Sequence, residues 1–344
     1  MLREVNSTAD VVALFQMGQD VPAGESLPQR DLQLLHALGI YVYYIPQQTT
    51  GRQSFYRTQL DKFRILGLTQ YERILFMDGD VLPLGNLDLL FELSMNGTLQ
   101  ENVVMRGLYE PANGGFFLVK PGTLEDIQRV IEWREETALQ LPYPHFDPDI
   151  GWGHELISPW LAQKEQGTNW TFLAAFADQG LLYYYTMYHQ KSVSFLLRDG
   201  TAENWQYAPD GTVQLRNHVS LLNFSVAEIS AIPGRHHYYK FPLNSFIHFT
   251  GAGKPWMRGG PPEDCCTEEN KFKEAKYYWF WELSKMNEAL NLGIDFKQHW
   301  KGGKHRPPLG LHPVYAHALN ASSNLLTPLE RVYPESAADY NTFH

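Results

Sequence analysis

Cysteine, basic charge and long apolar runs are all scarce in this sequence, and each shortage narrows what the protein can be. The two cysteines, Cys265 and Cys266, are adjacent, and neighbouring cysteines do not easily form an unstrained bridge. We therefore expect neither a disulfide framework nor a cysteine zinc site. No segment approaches the roughly 18 uninterrupted apolar residues of a membrane span, and the start of the chain lacks the pattern of a signal peptide.

Positive charge is also limited. The chain carries 28 Lys and Arg residues against 38 Asp and Glu residues, for a net charge of −10. A duplex nucleic acid or an anionic membrane surface is therefore not an expected partner. A site for an anionic ligand would need a metal ion, a lysine or a helix N-terminus to supply local positive charge.

The length and apolar content suffice for a substantial core. With 344 residues, 44% of them hydrophobic, the chain can form one large domain or two small ones. Acceptor sequences for N-glycosylation occur five times, at Asn6, Asn96, Asn169, Asn223 and Asn320. Their number favours a secretory compartment such as the Golgi, with the cytosol as the alternative.

Short apolar runs alternate with helical patterns along the chain. Strands are predicted at 11–15, 40–45, 74–77, 103–105, 116–119, 192–197 and 245–249, and helices at 27–38, 55–68, 126–139, 178–189 and 271–290. This order predicts an α/β fold in which helices flank a mainly parallel central sheet.

Two stretches depart from that alternation. Residues 140–176 are rich in Pro, Gly, His and Trp, and we interpret them as a long loop insertion near the functional site. From about residue 291 the sequence is rich in Pro and Gly. We therefore predict a catalytic domain over 1–266 and, over 267–344, a helix with an irregular extension packed on it.

The strongest local motif is Asp78-Gly79-Asp80, which follows a predicted strand. Side chains two residues apart on an extended chain point the same way, so both carboxylates can face one cation. Oxygen ligands suit a hard cation such as Mn²⁺ or Mg²⁺, and Gly79 permits a ligand to approach the backbone closely. Such a cation would offset the charge of a departing pyrophosphate; the alternative is a solvated turn.

A second cluster, at 247–256, contains His248, the run Gly251-Ala252-Gly253 and Lys254. An imidazole at the end of a strand can complete a metal site. Exposed backbone N–H groups and a lysine can bind phosphate oxygens. Taken singly, each of these residues is more often structural, but together with a distant acidic pair they form a pyrophosphate clamp.

Two further motifs are Asn113-Gly114-Gly115, just before a predicted strand, and Asp178-Gln179-Gly180, which opens a predicted helix. The Asp178 carboxylate can cap that helix or lie beside a reacting sugar. The sequence leaves both roles open.

These motifs, in this order, resemble glycosyltransferase family 8, the family of glycogenin and the plant galactinol synthases. The similarity extends from about residue 11 to residue 256, and it rests on 61–64, 73–80, 84–91, 113–116, 178–182 and 248–256. The combination is specific, although no single motif is.

The resemblance implies a GT-A fold, the fold of nucleotide-diphospho-sugar transferases, and hexosyl transfer from a UDP-sugar with retention of configuration. It implies a bound Mn²⁺, held by Asp78, Asp80 and His248. Pyrophosphate contacts are then expected from Gly251 and Lys254. Donor-sugar contacts are expected from Lys62, Asn113 with Gly114, and Gln179. Asp178 and Gln179 are expected nearest the reacting carbon. The acceptor, whether glycan, protein or polyol, is not implied.

Two departures from the family pattern are notable. The first strand of the family's fold is expected to precede Val11, where this sequence has ten residues. Gly114 stands where the family more usually has serine or alanine.

Two other classes of function are alternatives. One is a non-catalytic nucleotide-sugar-binding protein, because the first strand of the family's fold is not found in the ten residues before Val11. An aspartate-based phosphohydrolase is the other, because 76–80 resembles its nucleophile motif. That motif is usually near the N-terminus, however, and Leu82 occupies a place where threonine or valine is typical.

Overall fold

The computed structural model describes residues 2, 6–16, 26–45, 55–107, 110–139, 146–163, 169–197, 201–221, 238–240, 246–249, 254–256, 261–271 and 273–289. They belong to two compact units. The first comprises Met1–Ser7, Gln53–Ile229 and Tyr239–His248, and the second comprises Thr8–Arg52, Ser230–Tyr238 and Phe249–His344. The predicted domain boundary at residue 266 stays a prediction.

The described strands are β1 (Val11–Gln16), β2 (Ile40–Ile45), β3 (Ile74–Met77), β4 (Val81–Pro83), β5 (Val103–Met105), β6 (Phe116–Val119), β7 (Ser192–Leu196), β8 (Thr201–Tyr207), β9 (Val213–Ser220), β10 (Tyr238–Lys240) and β11 (Phe246–Phe249). The described α-helices are α1 (Gln29–Ala37), α2 (Phe55–Leu60), α3 (Asp88–Met95), α4 (Leu124–Leu139), α5 (Pro159–Gln163), α6 (Asp178–Tyr183) and α7 (Ala275–Ala289). A 3₁₀ helix, Asp61–Gly67, continues α2, and a π-helix, Tyr184–His189, continues α6.

The first unit is built on a six-stranded sheet with the strand order β3-β6-β5-β7-β8-β9. We expected a mainly parallel sheet, but this one is mixed: its β5–β7 ladder is parallel, while β3–β6, β5–β6, β7–β8 and β8–β9 are antiparallel. The reason is connection length. Residues 106–115, 197–200 and 208–212 are too few for a helical crossover of about a dozen residues, so the chain reverses. The architecture is thus mixed α/β, compatible with a GT-A-like fold.

The core of this unit lies around the central strands. Every residue of β5 and β6 is buried, as expected for short apolar runs in the middle of a sheet. Leu90 of α3 and Phe246 of β11 pack into the same cluster, and the rings of Phe116 and Phe246 stack with centroids 3.9 Å apart. Burial of these side chains positions the ends of β3, β6 and β11.

A smaller sheet has the order β10-β11-β4. Here β4 pairs antiparallel with β11, so that Val81 lies opposite His248 and Pro83 opposite Phe246. Strand β4 follows β3 after the Asp78-Gly79-Asp80 turn, which is closed by a hydrogen bond from Val81 N to Asp78 O of 3.0 Å. This pairing brings His248 to the acidic turn.

Most predicted elements are confirmed, with differences in type and extent. The helix predicted over 55–68 is α-helical only to Leu60 and then 3₁₀, and the helix predicted over 178–189 changes from α to π after Tyr183. Strands β4, β8, β9 and β10 and helices α3 and α5 were not predicted. Their apolar runs are short or interrupted by polar residues, and tertiary pairing decides them.

Two tryptophans anchor the predicted loop insertion within its described parts, 146–163 and 169–176. Trp152 and Trp170 are both 1% exposed. The indole N–H of Trp152 donates to Ala175 O at 2.7 Å, and that of Trp170 donates to His154 O at 2.6 Å. These contacts tie the start of the loop to the segment that enters α6.

In the second unit, β1 and β2 pair in parallel on either side of α1 in the sequence, with Val11 opposite Ile40. In the turn before α7, Cys265 and Cys266 are joined in a disulfide. The expectation that these neighbouring cysteines form no bridge is therefore wrong. The backbone of Cys266 has a φ of +68°, and this left-handed turn brings the neighbouring side chains together. The predicted extension beyond residue 290 lies outside the described residues.

None of the helices in the described part of the chain combines the length and the apolar character that a bilayer crossing requires.

A buried ion pair links the end of β5 to β8. Arg106 Nη2 lies 2.8 Å from Glu203 Oε2, with the two side chains 8% and 9% exposed. The Trp205 indole N–H donates to the same carboxylate oxygen at 3.1 Å, and the Arg106 guanidinium lies 5.2 Å from the Phe195 ring centroid. Removing one partner leaves the other charge buried without compensation.

We therefore predict that Arg106→Met lowers the free energy of unfolding by about 3–5 kcal/mol, the usual effect of breaking a buried pair. Urea denaturation measures it. Arg129→Met is the matched control, because Arg129 and its partner Asp126 are 70% and 42% exposed, and such a pair contributes about 0–1 kcal/mol. Equal, small effects of both substitutions would contradict the prediction.

Candidate metal and sugar-transfer site

The structure brings together the three residues predicted as metal ligands. Asp78, Asp80 and His248 offer ligand atoms that all lie within 4.8 Å of one another, and His248 Nε2 is 3.3 Å from Asp80 Oδ1. Two carboxylates come from the β3–β4 turn and the imidazole comes from β11. His248 follows Asp80 by 168 positions in the sequence. Tertiary pairing of β4 with β11 makes this cluster.

Glycine at position 115 is required by the closeness of these groups. A Cβ built at Gly115 would lie 2.7 Å from His248 Nε2 and 3.1 Å from Asp78 Oδ2. Gly115 also accepts a hydrogen bond at its carbonyl from Asp78 N, at 2.9 Å. The His248 imidazole and the Asp78 carboxylate therefore pack directly against the Gly115 backbone, where a larger residue would clash with them. By contrast, a Cβ at Gly79 would meet nothing within 4 Å.

Lys62 connects the acidic turn to the start of α6. Its Nζ donates to Asp178 Oδ2 at 2.7 Å, to Gly114 O at 2.9 Å and to Asp78 Oδ1 at 3.2 Å. It also lies 5.0 Å from the Phe76 ring centroid. The Lys62 and Asp178 side chains are 7% and 6% exposed, so this is a buried pair with all three ammonium protons directed at oxygen.

Charge in this region is closely balanced. Burial lowers the pKa of Lys62, but the carboxylates of Asp178 and Asp78 outweigh burial, and the pKa is raised above its ordinary value. Burial likewise raises the pKa of Asp78; Lys62 opposes this, and the negative charges of Asp80 and Asp178 add to it. One ammonium group therefore does not fully compensate the carboxylates gathered here.

The predicted donor-sugar residues Asn113 and Gly114 lie in the turn that enters β6. Asn113 Oδ1 accepts the Gly115 N–H at 3.0 Å, and Asn113 Nδ2 donates to Glu110 Oε1 at 3.2 Å. A Cβ at Gly114 would lie 2.7 Å from Asp178 Cγ. That contact gives a physical reason for glycine where the resembling family more usually has serine or alanine.

Asp178 and Gln179 open α6, but neither caps it. The N-cap is Ala177, and no side chain caps the helix; the Asp178 carboxylate faces Lys62 instead. Gln179 Nε2 donates to Leu173 O at 2.8 Å, which ties the helix start to the preceding loop. The helix-cap role considered for Asp178 is therefore wrong.

Two predicted residues are not placed in this cluster. Gly251 lies outside the described residues. Lys254 belongs to the second unit, where its Nζ lies 5.7 Å from the Trp256 ring centroid. A pyrophosphate role for both stays a prediction.

Sequence reasoning missed Glu110, a carboxylate only 3% exposed that orients the Asn113 amide. Its only sequence signal is a place three residues before Asn113, at the end of an irregular connection. Spacing in a loop does not predict a contact, so no rule would have found it.

The donor set fits a divalent cation. Carboxylate oxygens are the ligands that Mn²⁺ and Mg²⁺ prefer, and an imidazole is a common additional ligand of transition metals. The uncompensated negative charge around Asp78 favours a cation at the same place. Asp78, Asp80 and His248 are therefore a group that could hold a divalent cation.

No protein-family model matches the chain. Among curated proteins, the chain is similar to Glycosyltransferase GlyB of Streptococcus pneumoniae serotype 4, with 23% identity over 259 residues. The similarity covers 72% of this chain and 46% of GlyB, so the chain spans less than half the length of that relative. Similarity at this level, over less than half of GlyB, does not assign the chain to a family.

Gly115→Ala is predicted to weaken Mn²⁺ binding about 10- to 100-fold, as disturbance of groups that orient metal ligands usually does. Titration calorimetry with MnCl₂ measures it, and circular dichroism checks the fold. Gly67→Ala is the control, because its Cβ would approach Leu124 Cδ2 to 2.8 Å, the flexible end of a side chain outside the site. Unchanged Mn²⁺ affinity in Gly115→Ala would refute the role given to this glycine.

Lys62→Met is predicted to lower the free energy of unfolding by about 3–5 kcal/mol, because it leaves Asp178 buried and uncompensated. Adding Asp178→Asn to Lys62→Met should restore part of that stability, since the buried charge is then gone. Urea denaturation of both single variants and the double variant measures the coupling. Additive effects of the two substitutions would show that this pair does not couple.

Proposed function

We propose that the protein transfers a hexosyl group from a UDP-sugar to an acceptor, in a reaction that depends on Mn²⁺ or Mg²⁺ and retains the anomeric configuration. The observation that carries the proposal is the convergence of Asp78, Asp80 and His248 next to the buried Lys62–Asp178 pair. The distant similarity to a glycosyltransferase supports it, as does the family resemblance of the motifs.

The ligand set defines the donor end of the site. Asp78, Asp80 and His248 would hold the cation, which when bound neutralises the diphosphate of the donor and the charge that develops as it leaves. Open space at Gly79 allows a phosphate group to approach the backbone between the two aspartates. Gly251 and Lys254 are proposed as further pyrophosphate contacts.

The chain's own groups prepare the sugar end. Lys62 holds the Asp178 carboxylate in one orientation, since the ammonium donates directly to it. An ionised carboxylate stabilises positive charge that develops at an anomeric carbon. Asp178 and Gln179 are therefore proposed beside the reacting carbon, with Lys62, Asn113 and Gly114 at the sugar hydroxyls.

The orientation of two amides supports these roles. The Gly115 N–H fixes Asn113 with its oxygen inward and its nitrogen toward Glu110, and the Leu173 carbonyl fixes Gln179 by its nitrogen. Amides held by such bonds present one defined polar face to a ligand, which reduces the entropy lost on binding.

Asp80→Asn is predicted to lower the rate of UDP release from a UDP-sugar by about a hundredfold or more, through weaker cation binding and lost charge neutralisation. The assay is donor hydrolysis or transfer, run with UDP-glucose, UDP-galactose and UDP-glucuronic acid in Mn²⁺ and in EDTA. Asp126→Asn is the control, because Asp126 is an exposed partner of Arg129. Equal rates in Mn²⁺ and EDTA would sink the proposal.

A further inference from the structure

Arg134, in the middle of α4, holds its guanidinium group against two aromatic rings. Its Cζ lies 4.7 Å from the Trp152 ring centroid and 5.1 Å from that of Phe146. Cation–π contact of this kind stabilises a guanidinium through its face. The five N–H donors lie in the plane of the guanidinium, and contact with ring carbons does not satisfy them, so they need other acceptors.

No acceptor for those donors is found among the described residues. Arg134 forms no hydrogen bond or ion pair there, and its Nε is buried without a hydrogen-bond partner. Four other described arginines have carboxylate partners: Arg64 pairs with Asp61, Arg73 with Glu101, Arg106 with Glu203 and Arg129 with Asp126. Burial lowers the pKa of Arg134, with only partial compensation from the charge of Glu135.

The rings that hold Arg134 belong to the segment that enters the proposed active site. Phe146 packs against Phe176 with centroids 6.3 Å apart, and Phe176 precedes Asp178 by two residues. Trp152 donates its indole N–H to Ala175 O at 2.7 Å. Arg134 is therefore linked to the segment before α6 through the Phe146 and Trp152 side chains.

We propose that Arg134 binds an anionic group of the acceptor, a carboxylate or a sulfate or phosphate ester on the sugar that receives the transferred hexose. This inference rests on the proposed function. A planar guanidinium held near two rings, with no acceptor among the described residues, matches a two-oxygen anion, which accepts two parallel N–H bonds. Half-burial on aromatic rings excludes part of the competing water and strengthens such a bond.

The test is titration calorimetry of the wild-type chain, with UDP and Mn²⁺ present, against matched neutral and anionic sugars. The probes are methyl β-glucoside as the neutral sugar, and methyl β-glucuronide, glucose 6-sulfate and glucose 6-phosphate as the anionic sugars. At least one anionic sugar should bind about tenfold more tightly than the neutral one, the usual effect of a charge-assisted hydrogen-bond pair. Arg134→Gln should abolish that preference, and Arg134→Lys should restore part of it.

Arg129→Gln is the matched control, because Arg129 lies on the same helix and is paired and exposed, and it should keep the preference. Inorganic sulfate added as a competitor separates a free anion from an acceptor-borne one: loss of the preference only at sulfate concentrations far above those of the sugar supports the acceptor. Equal binding of neutral and anionic sugars, or a preference that survives in folded Arg134→Gln, would overturn the inference.

UDP release from the donor alone, measured on the same variants, keeps this inference separate from the proposed function. Arg134→Gln should leave donor hydrolysis unchanged. Hydrolysis in the wild type without an Arg134-dependent preference would overturn the acceptor site alone. An Arg134-dependent preference without any hydrolysis would overturn the transferase and leave an anionic-sugar site.

Discussion

Packing of like charges at the end of β3 is the constraint on which the site depends. The Lys62 ammonium donates to Asp78 and Asp178, and the His248 imidazole lies close to Asp80. Carboxylates held so closely repel one another, and burial, the largest of the causes, raises the pKa of Asp78. The fold keeps them there because β3, β4 and β11 are anchored by apolar packing, and the remaining negative charge can then be used to attract a cation.

The mixed topology of the sheet makes this closeness possible. Because β6 runs antiparallel next to β3, with Met77 opposite Phe116, the two glycines before β6 fall directly beside the acidic turn. Gly114 leaves room for the Asp178 carboxylate, and Gly115 leaves room for His248 and Asp78. A parallel neighbour would have placed the start of its strand at the other end of the sheet, and the glycine pair would then be far from the aspartates.

The loop insertion contributes to the site in a different way. Trp152 and Trp170 are buried and hydrogen-bonded, so the described parts of the loop are packed against the segment that enters α6. One part of the loop leads into Asp178 and Gln179, and another contacts the guanidinium of Arg134. In the proposed function, the donor site would draw on strand ends and the start of α6, and the acceptor site on Arg134 of α4 and the rings that contact it.

The local sequence pattern determined much of the secondary structure and part of the candidate site. Apolar runs predicted β3, β5, β6, β7 and β11 with small errors in extent, and the motifs around Asp78 and His248 predicted that these side chains lie together. Tertiary structure alone decided the direction of the strands, the disulfide between Cys265 and Cys266, and the partners of Lys62, Glu110 and Arg134. Spacing along a chain does not determine how a local turn directs side chains, as at Cys265–Cys266 and Glu110–Asn113. Nor does it bring together residues as distant as Lys62 and Asp178, 116 positions apart; only the packed core does so.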